Sequence, residues 1–211
     1  MDASLVAATA LVVVAYLLGS LSFAVIVSRC YGLPDPRSFG SGNPGATNVL
    51  RTGRRAAAAL TLAGDAGKGV VAVLLARGFM PEGGEALLAL VALAAFAGHL
   101  WPLFFRFQGG KGVATAGGIL LAINLWLGAG VLATWLILVL VSRISSLGAL
   151  AAAVFAPLWS FWLFGLGWTT GAVLAIACLL LYRHKDNLRR LLAGEEGRFG
   201  RGRAGAGPER S

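Results

Sequence analysis

Five long apolar runs dominate the chain, at about residues 4 to 28, 56 to 80, 85 to 105, 113 to 142 and 147 to 182. Runs of 18 or more residues with few charges suit a bilayer, where the backbone satisfies its own hydrogen bonds as helix. Composition agrees: 57% of the 211 residues are hydrophobic and 13% are charged, against about a quarter charged in a soluble domain. Asp2 is the only charge before Arg29, so the first run lacks the basic start of a cleaved signal peptide and reads as a retained span. Cys30 and Cys178 lie in or beside apolar runs, far apart, and imply neither a disulfide framework nor a metal site.

The last two runs are too long for one crossing each, since about 20 residues suffice. Each contains a plausible turn, "INLWLG" at 123 to 128 and "FGLGWTT" at 164 to 170. Folding both runs as hairpins places the basic clusters on one side: residues 29 to 55, Arg106 with Lys111, Arg143, and everything from Arg183 onward. Asp2, Glu82 and Glu85 then fall on the other side, and Arg77 is the exception. By the positive-inside rule the expectation is an all-α, polytopic bundle of seven transmembrane helices, N-terminus outside and C-terminus cytoplasmic. Residues 1–196 form its single domain, and the Gly- and Arg-rich tail 197–211 is expected to be disordered.

In this topology every polar, glycine-bearing stretch meets the cytoplasm. "SFGSGNPGATNVLR" offers Ser41, Asn43, Thr47 and Asn48 as hydrogen-bonding groups, glycines that let backbone N–H groups face an anion, and Arg51 for phosphate. A plain helix start capped by Thr47 or Asn48 explains the same residues. "GDAGKG" sets Asp65 and Lys68 three apart on one helix face inside an apolar run, either as a structural ion pair or with Lys68 turned toward a phosphate. "GHLWPLFFRFQGGKGVAT" joins His99 to a glycine-cradled Lys111. It departs from a nucleotide P-loop at Phe105 and Gly112. "SRISS" carries Ser146 after a basic anchor, and "YRHKDNLRRLLAGEE" sets His184 and Asn187 three apart where the last run ends. The remainder of that segment reads as an amphipathic surface helix with Leu188, Leu191 and Leu192 on lipid.

Together these groups suit a ligand with at least two negative charges and a hydrocarbon part. A transporter for an anionic solute is the competing class. It fits less well, because the polar stretches gather at one face and no internal repeat relates the halves.

The ordered set "SGNPGATNVLR", "GDAGKG", "GHLWPLFFRFQGGKGVAT", "RISSLGA" and "HKDNLRRLLAGEE" resembles the bacterial acyl-phosphate-dependent glycerol-3-phosphate acyltransferase family over nearly the whole chain to residue 196. A second serine common in the family's fourth motif is Ala149 here. The resemblance implies a multi-pass enzyme of phospholipid biosynthesis in the bacterial cytoplasmic (inner) membrane, with its active site on the cytoplasmic side. It implies transfer of a fatty acyl group from acyl phosphate to the 1-hydroxyl of sn-glycerol 3-phosphate, giving lysophosphatidic acid and inorganic phosphate. No cofactor or metal and no nucleic acid partner is expected; membrane lipid surrounds the protein, and a monomer is expected.

Ser41, Lys111, His184 and Asn187 are the expected catalytic residues. With Arg51 they are assigned to glycerol 3-phosphate. Asn43, Thr47, Gly109, Gly110 and Ser146 are assigned to the acyl-phosphate head, with Asn48 and Lys68 as further substrate-binding groups. Asp65 and His99 are assigned structural or orienting roles. Either His184 or a phosphate oxygen of the donor is the expected proton acceptor.

Overall fold

The structure is a computed structural model that describes residues 3–81 and 84–198. The tail from residue 199 onward, and Asp2 and Glu82 among the acidic residues that oriented the chain, lie outside the described residues. Among the described residues, ten α-helices follow in order: α1 Ala3–Gly19, α2 Phe23–Cys30, α3 Ala46–Leu50, α4 Arg55–Phe79, α5 Gly84–Leu100, α6 Val113–Ile123, α7 Leu125–Ser142, α8 Ser145–Phe164, α9 Trp168–Arg183 and α10 Lys185–Leu192. Strands are absent among the described residues. α4, α5 continued to Phe105, α7 and α8 are long and apolar enough to cross a membrane, and α1 with α2 makes a fifth such segment, bent by 45° at its break. α6 and α9 are apolar but shorter.

Both long runs break where the sequence offers turns. Asn124 ends α6 and begins α7, accepting hydrogen bonds on its side-chain oxygen from the N–H groups of Trp126 and Leu127. That satisfies two donors that a helix start leaves without partners. The second break follows Phe164, where Gly165 takes a left-handed φ of 70°. Arg77, the charge exception, has a local cause: its guanidinium donates to Ala122 O at 2.8 Å and Ile123 O at 2.6 Å. These carbonyls end α6, where a helix runs out of its own N–H donors.

α5 is the central helix, lying against α1, α4, α6 and α9. Phe96 and Leu100 on α5, Ile119 on α6 and Leu127 on α7 are fully buried and belong to one apolar core. α4 and α6 approach until a Cβ at Gly118 would collide with Ala66 O. Outside this core, Leu136, Ile137, Leu140 and Val141 of α7 are exposed, the outward apolar surface expected of a helix solvated by lipid.

The chain reversals fall at two ends. Arg77, the α6–α7 turn and the α8–α9 turn mark one end, with Gly167 close to Glu85. The loops 31–54 and 101–112, the α7–α8 turn and α10 mark the other, which carries the polar stretches. Tyr16 ties α1 to this end by donating to Trp101 O at 2.7 Å.

Candidate active site

Each polar stretch contributes a wall of one cavity of about 1440 Å³, larger than the roughly 300–1,000 Å³ of an ordinary small-molecule pocket. One end is lined by Ser41, Asn43, Arg51, Lys111, His184 and Asn187, the other by apolar side chains of α6 to α9, among them Leu120, Val131, Trp135, Ala153 and Ile176. Charged head and hydrocarbon can therefore occupy one continuous space.

The first loop is built around Asn48, which is 1% exposed. Its amide nitrogen donates to Pro36 O and Phe39 O, at 2.7 and 3.1 Å, and its oxygen accepts from Ser41 N at 3.1 Å. Asn48 thus shapes the loop that presents Ser41; it lines the cavity while its amide is engaged by protein at both ends. The helix start here is not capped by Thr47 or Asn48: Gly45 occupies the cap position of α3. Ser41, Thr47 and Arg51 are left exposed at the mouth.

The second stretch holds Lys68, an expected substrate-binding group, inside the protein. Lys68 is buried, 3.0 Å from Asp65 Oδ1, and donates to Leu21 O at 2.6 Å. That carbonyl lies in the break between α1 and α2, where helical partners are missing. Lys68 is absent from the cavity wall, whereas Asp65 and His99 contribute to it. Thr115 donates its hydroxyl hydrogen to Asp65 O at 2.9 Å and lies 3.1 Å from His99 Nδ1. With that hydrogen committed, His99 Nδ1–H is the donor of the second bond. Asp65, Lys68, Thr115 and His99 form a buried orienting network below the site.

Gly109 and Gly110, the expected contacts to the acyl-phosphate head, do not line the cavity. A Cβ at Gly109 would collide with His99 O, and one at Gly110 would lie 2.5 Å from His99 Nε2. Gly110 N–H donates to His99 O at 3.2 Å. Arg183, a residue the motif reading passed over, donates from Nε to Gly110 O at 3.1 Å and from Nη2 to Gly109 O at 2.7 Å. The glycines permit close approach, and Lys111 is the residue of this loop that projects into the cavity. Its ammonium donates to Asn187 Oδ1.

The last segment brings a second omission, Glu196. Its Oε1 accepts from Ser146 Oγ at 2.7 Å and Asn187 Nδ2 at 2.6 Å, and its Oε2 accepts from Arg190 Nε at 2.7 Å. After α10 the chain turns at Gly194, in a left-handed φ of 72°, and Gly197 comes beside Arg51. The acidic pair after a glycine was a readable signal for a chain reversal. Its carboxylate partner set was not readable.

Lys111, His184 and Glu196, which line the polar end of the cavity, have shifted proton affinities. Burial, helped by Arg190, lowers Lys111 to about 8, although Glu196 pulls the other way. Burial lowers His184 to about 4, partly offset by its hydrogen bond to Leu180 O. Burial tends to raise Glu196, but hydrogen bonds from Ser146, Asn187 and Arg190 bring it below the ordinary carboxylate value. His184 is neutral near pH 7. Its Nδ1–H lies 2.8 Å from Leu180 O, which leaves Nε2 as the acceptor nitrogen.

The sequence model of the family "Glycerol-3-phosphate acyltransferase" matches residues 9–194. The chain belongs to that family. The family's glycerol-3-phosphate acyltransferase from Thiobacillus denitrificans is 65% identical over 195 residues, covering 90% of this chain and 96% of that protein. The one from Bordetella pertussis is 57% identical over 203 residues, covering 94% of each. The fold is similar to the crystal structure of PlsY, an integral membrane glycerol 3-phosphate acyltransferase, in its glycerol 3-phosphate form. The TM-score is 0.86 and the identity 37%, over 92% of this chain and 96% of that one. The lysophosphatidic acid form of PlsY matches with a TM-score of 0.84 and 36% identity, over the same shares.

Proposed function

We propose that this enzyme transfers a fatty acyl group from acyl phosphate to the 1-hydroxyl of sn-glycerol 3-phosphate at the cytoplasmic face of a bacterial inner membrane. The observation that carries this reading is the single cavity that joins Arg51 and Lys111 to an apolar trough between α6 and α9. It matches two phosphorylated reactants, one of which carries a hydrocarbon chain. The two PlsY crystal forms are a glycerol 3-phosphate form and a lysophosphatidic acid form, in agreement with one substrate and the product.

In the reaction the 1-hydroxyl oxygen attacks the acyl carbonyl carbon, the bond from that carbon to the phosphate oxygen breaks, and the hydroxyl proton leaves on the phosphate. The mixed anhydride already has a good leaving group, so what the enzyme must supply is alignment and charge stabilisation. Arg51 and Lys111 hold the glycerol phosphate, while Ser41 and Asn187 orient its hydroxyls. Asn43, Thr47 and Ser146 face the acyl-phosphate head. His184 Nε2 accepts a substrate hydroxyl hydrogen bond, but its proton affinity of about 4 makes it a weak base. The donor's phosphate oxygen is the better final proton acceptor. Neither a cofactor nor a second copy of the chain is needed for these steps.

The test is purified protein supplied with palmitoyl phosphate and glycerol 3-phosphate, following lysophosphatidic acid and released phosphate. Turnover with both products is expected. Turnover with palmitoyl-CoA and none with palmitoyl phosphate would reassign the donor.

A further inference from the structure

The loop that carries Lys111 has little to fix it from within. Residues 109 to 112 form no helix, include three glycines, and end at Gly112 with a left-handed φ of 82°. A flexible backbone of this kind loses much conformational entropy when it is held still. Yet an ammonium that discriminates a phosphate must be positioned to within a fraction of an ångström.

Arg183 supplies the restraint. Its planar guanidinium reaches two consecutive carbonyls, Gly109 O and Gly110 O, immediately before Lys111. It stands at the last position of α9, four residues before Asn187, whose side chain accepts from Lys111. Its two donors fix direction as well as distance, which one lysine ammonium cannot do.

We propose that Arg183 is a positioning residue that clamps the Gly109–Gly110 backbone and thereby aims Lys111 at the substrate phosphate. Arg183 is not in the cavity wall and acts only through the loop. The inference rests on the reading that Lys111 binds a substrate phosphate.

Two variants and two measurements test it. Arg183→Ala is expected to raise KM for glycerol 3-phosphate about tenfold or more with a smaller change in kcat, and added guanidinium is expected to restore part of the loss. Arg183→Lys keeps the charge and one donor, so an intermediate KM is expected. The alkaline limb of kcat/KM provides a second sign. Lys111 faces the charges of Arg183, Arg190, Asp186 and Glu196 and lies near His184, whose proton affinity it lowers. Removing the Arg183 cation removes repulsion, and the limb is expected to move upward from about 8 in Arg183→Ala but not in Arg183→Lys. A wild-type KM in Arg183→Ala, or a loss confined to kcat with an unmoved limb and no guanidinium rescue, overturns the proposal.

Hydrogen–deuterium exchange requires no turnover and separates this proposal from the reaction assignment. Exchange at residues 108 to 113 is expected to rise in Arg183→Ala while exchange at the α8–α9 turn stays unchanged. Unchanged exchange in the loop rejects the clamp even if the acyl donor is wrongly assigned. A faster-exchanging loop in a protein that is inactive with acyl phosphate upholds the clamp and rejects the donor.

Discussion

Lys111 and Asn187 hold each other through a direct hydrogen bond, so in the proposed reaction each has a direct and an indirect part in binding. Lys111→Ala removes a charge-assisted contact to a dianion, and a fall of about 10²-fold in kcat/KM is expected. Asn187→Ala leaves the charge but frees the lysine to move and removes a donor to Glu196, and a similar fall is expected; a steady-state assay of folded protein near wild-type rates would refute either role. The pH profile has a definite sign. Lys111 loses its proton as pH rises through about 8, so kcat/KM for glycerol 3-phosphate is expected to decline above that value. Bound phosphate favours the charged lysine, and the corresponding limb in kcat should lie higher. On the acid side, His184 protonates only near 4, whereas a phosphate monoester dianion takes up a proton near about 6. The acid limb should therefore follow the substrate. A limb that persists near 4 with a substrate already monoanionic would instead assign proton transfer to His184.

At the level of elements, the buried pair in α4 has a structural role, because Lys68 links Asp65 to the carbonyl of Leu21 in the α1–α2 break. Lys68→Met leaves a carboxylate buried without its cation and should destabilise the protein by about 3–5 kcal/mol, read as a lower Tm in detergent. The double variant with Asp65→Asn should recover part of that loss; a Tm as low as in Lys68→Met alone would show that the pair itself contributes nothing. This role was only half legible in the sequence, because spacing put Asp65 and Lys68 on one face but could not show which way the ammonium points. Apolar runs and turn residues such as Asn124 and Gly165 did reveal where helices begin and end, since those are local backbone requirements. That Ser41, Lys111, His184 and Asn187 would gather at one cavity was legible because polar groups at the ends of apolar helices are few. Arg183 and Glu196 were not, because each acts on backbone or side chains that only the tertiary fold brings near. Gly109 and Gly110 look the same in sequence whether they face an anion or a neighbouring backbone, and only packing separates the two.

For the whole molecule, two helices that line the cavity differ nearly twofold in length. α8 has 20 residues and measures about 30 Å at 1.5 Å per residue, the thickness of a hydrocarbon core. α6 has 11 and measures about 16 Å, so α8 matches that thickness and α6 does not. Arg77 closes the far end of α6 by taking its last carbonyls, which allows a short helix to sit in a thick bilayer. Counting α1 with α2, then α4 to α9, would give the seven crossings expected from the sequence, and the excess of arginine and lysine at the polar end is the basis for proposing that it faces the cytoplasm. Arg143 and Leu166 flank α8 in successive turns and are both exposed, so they report on opposite ends of one helix. After replacing Cys30 and Cys178 by serine, Arg143→Cys should react with an impermeant maleimide only when the cytoplasmic face is opened, and Leu166→Cys should react in intact spheroplasts. Labelling of both positions from the same side would mean that α8 does not cross, and the reverse pattern would turn the acyl transfer site to the outer face, away from cytoplasmic glycerol 3-phosphate.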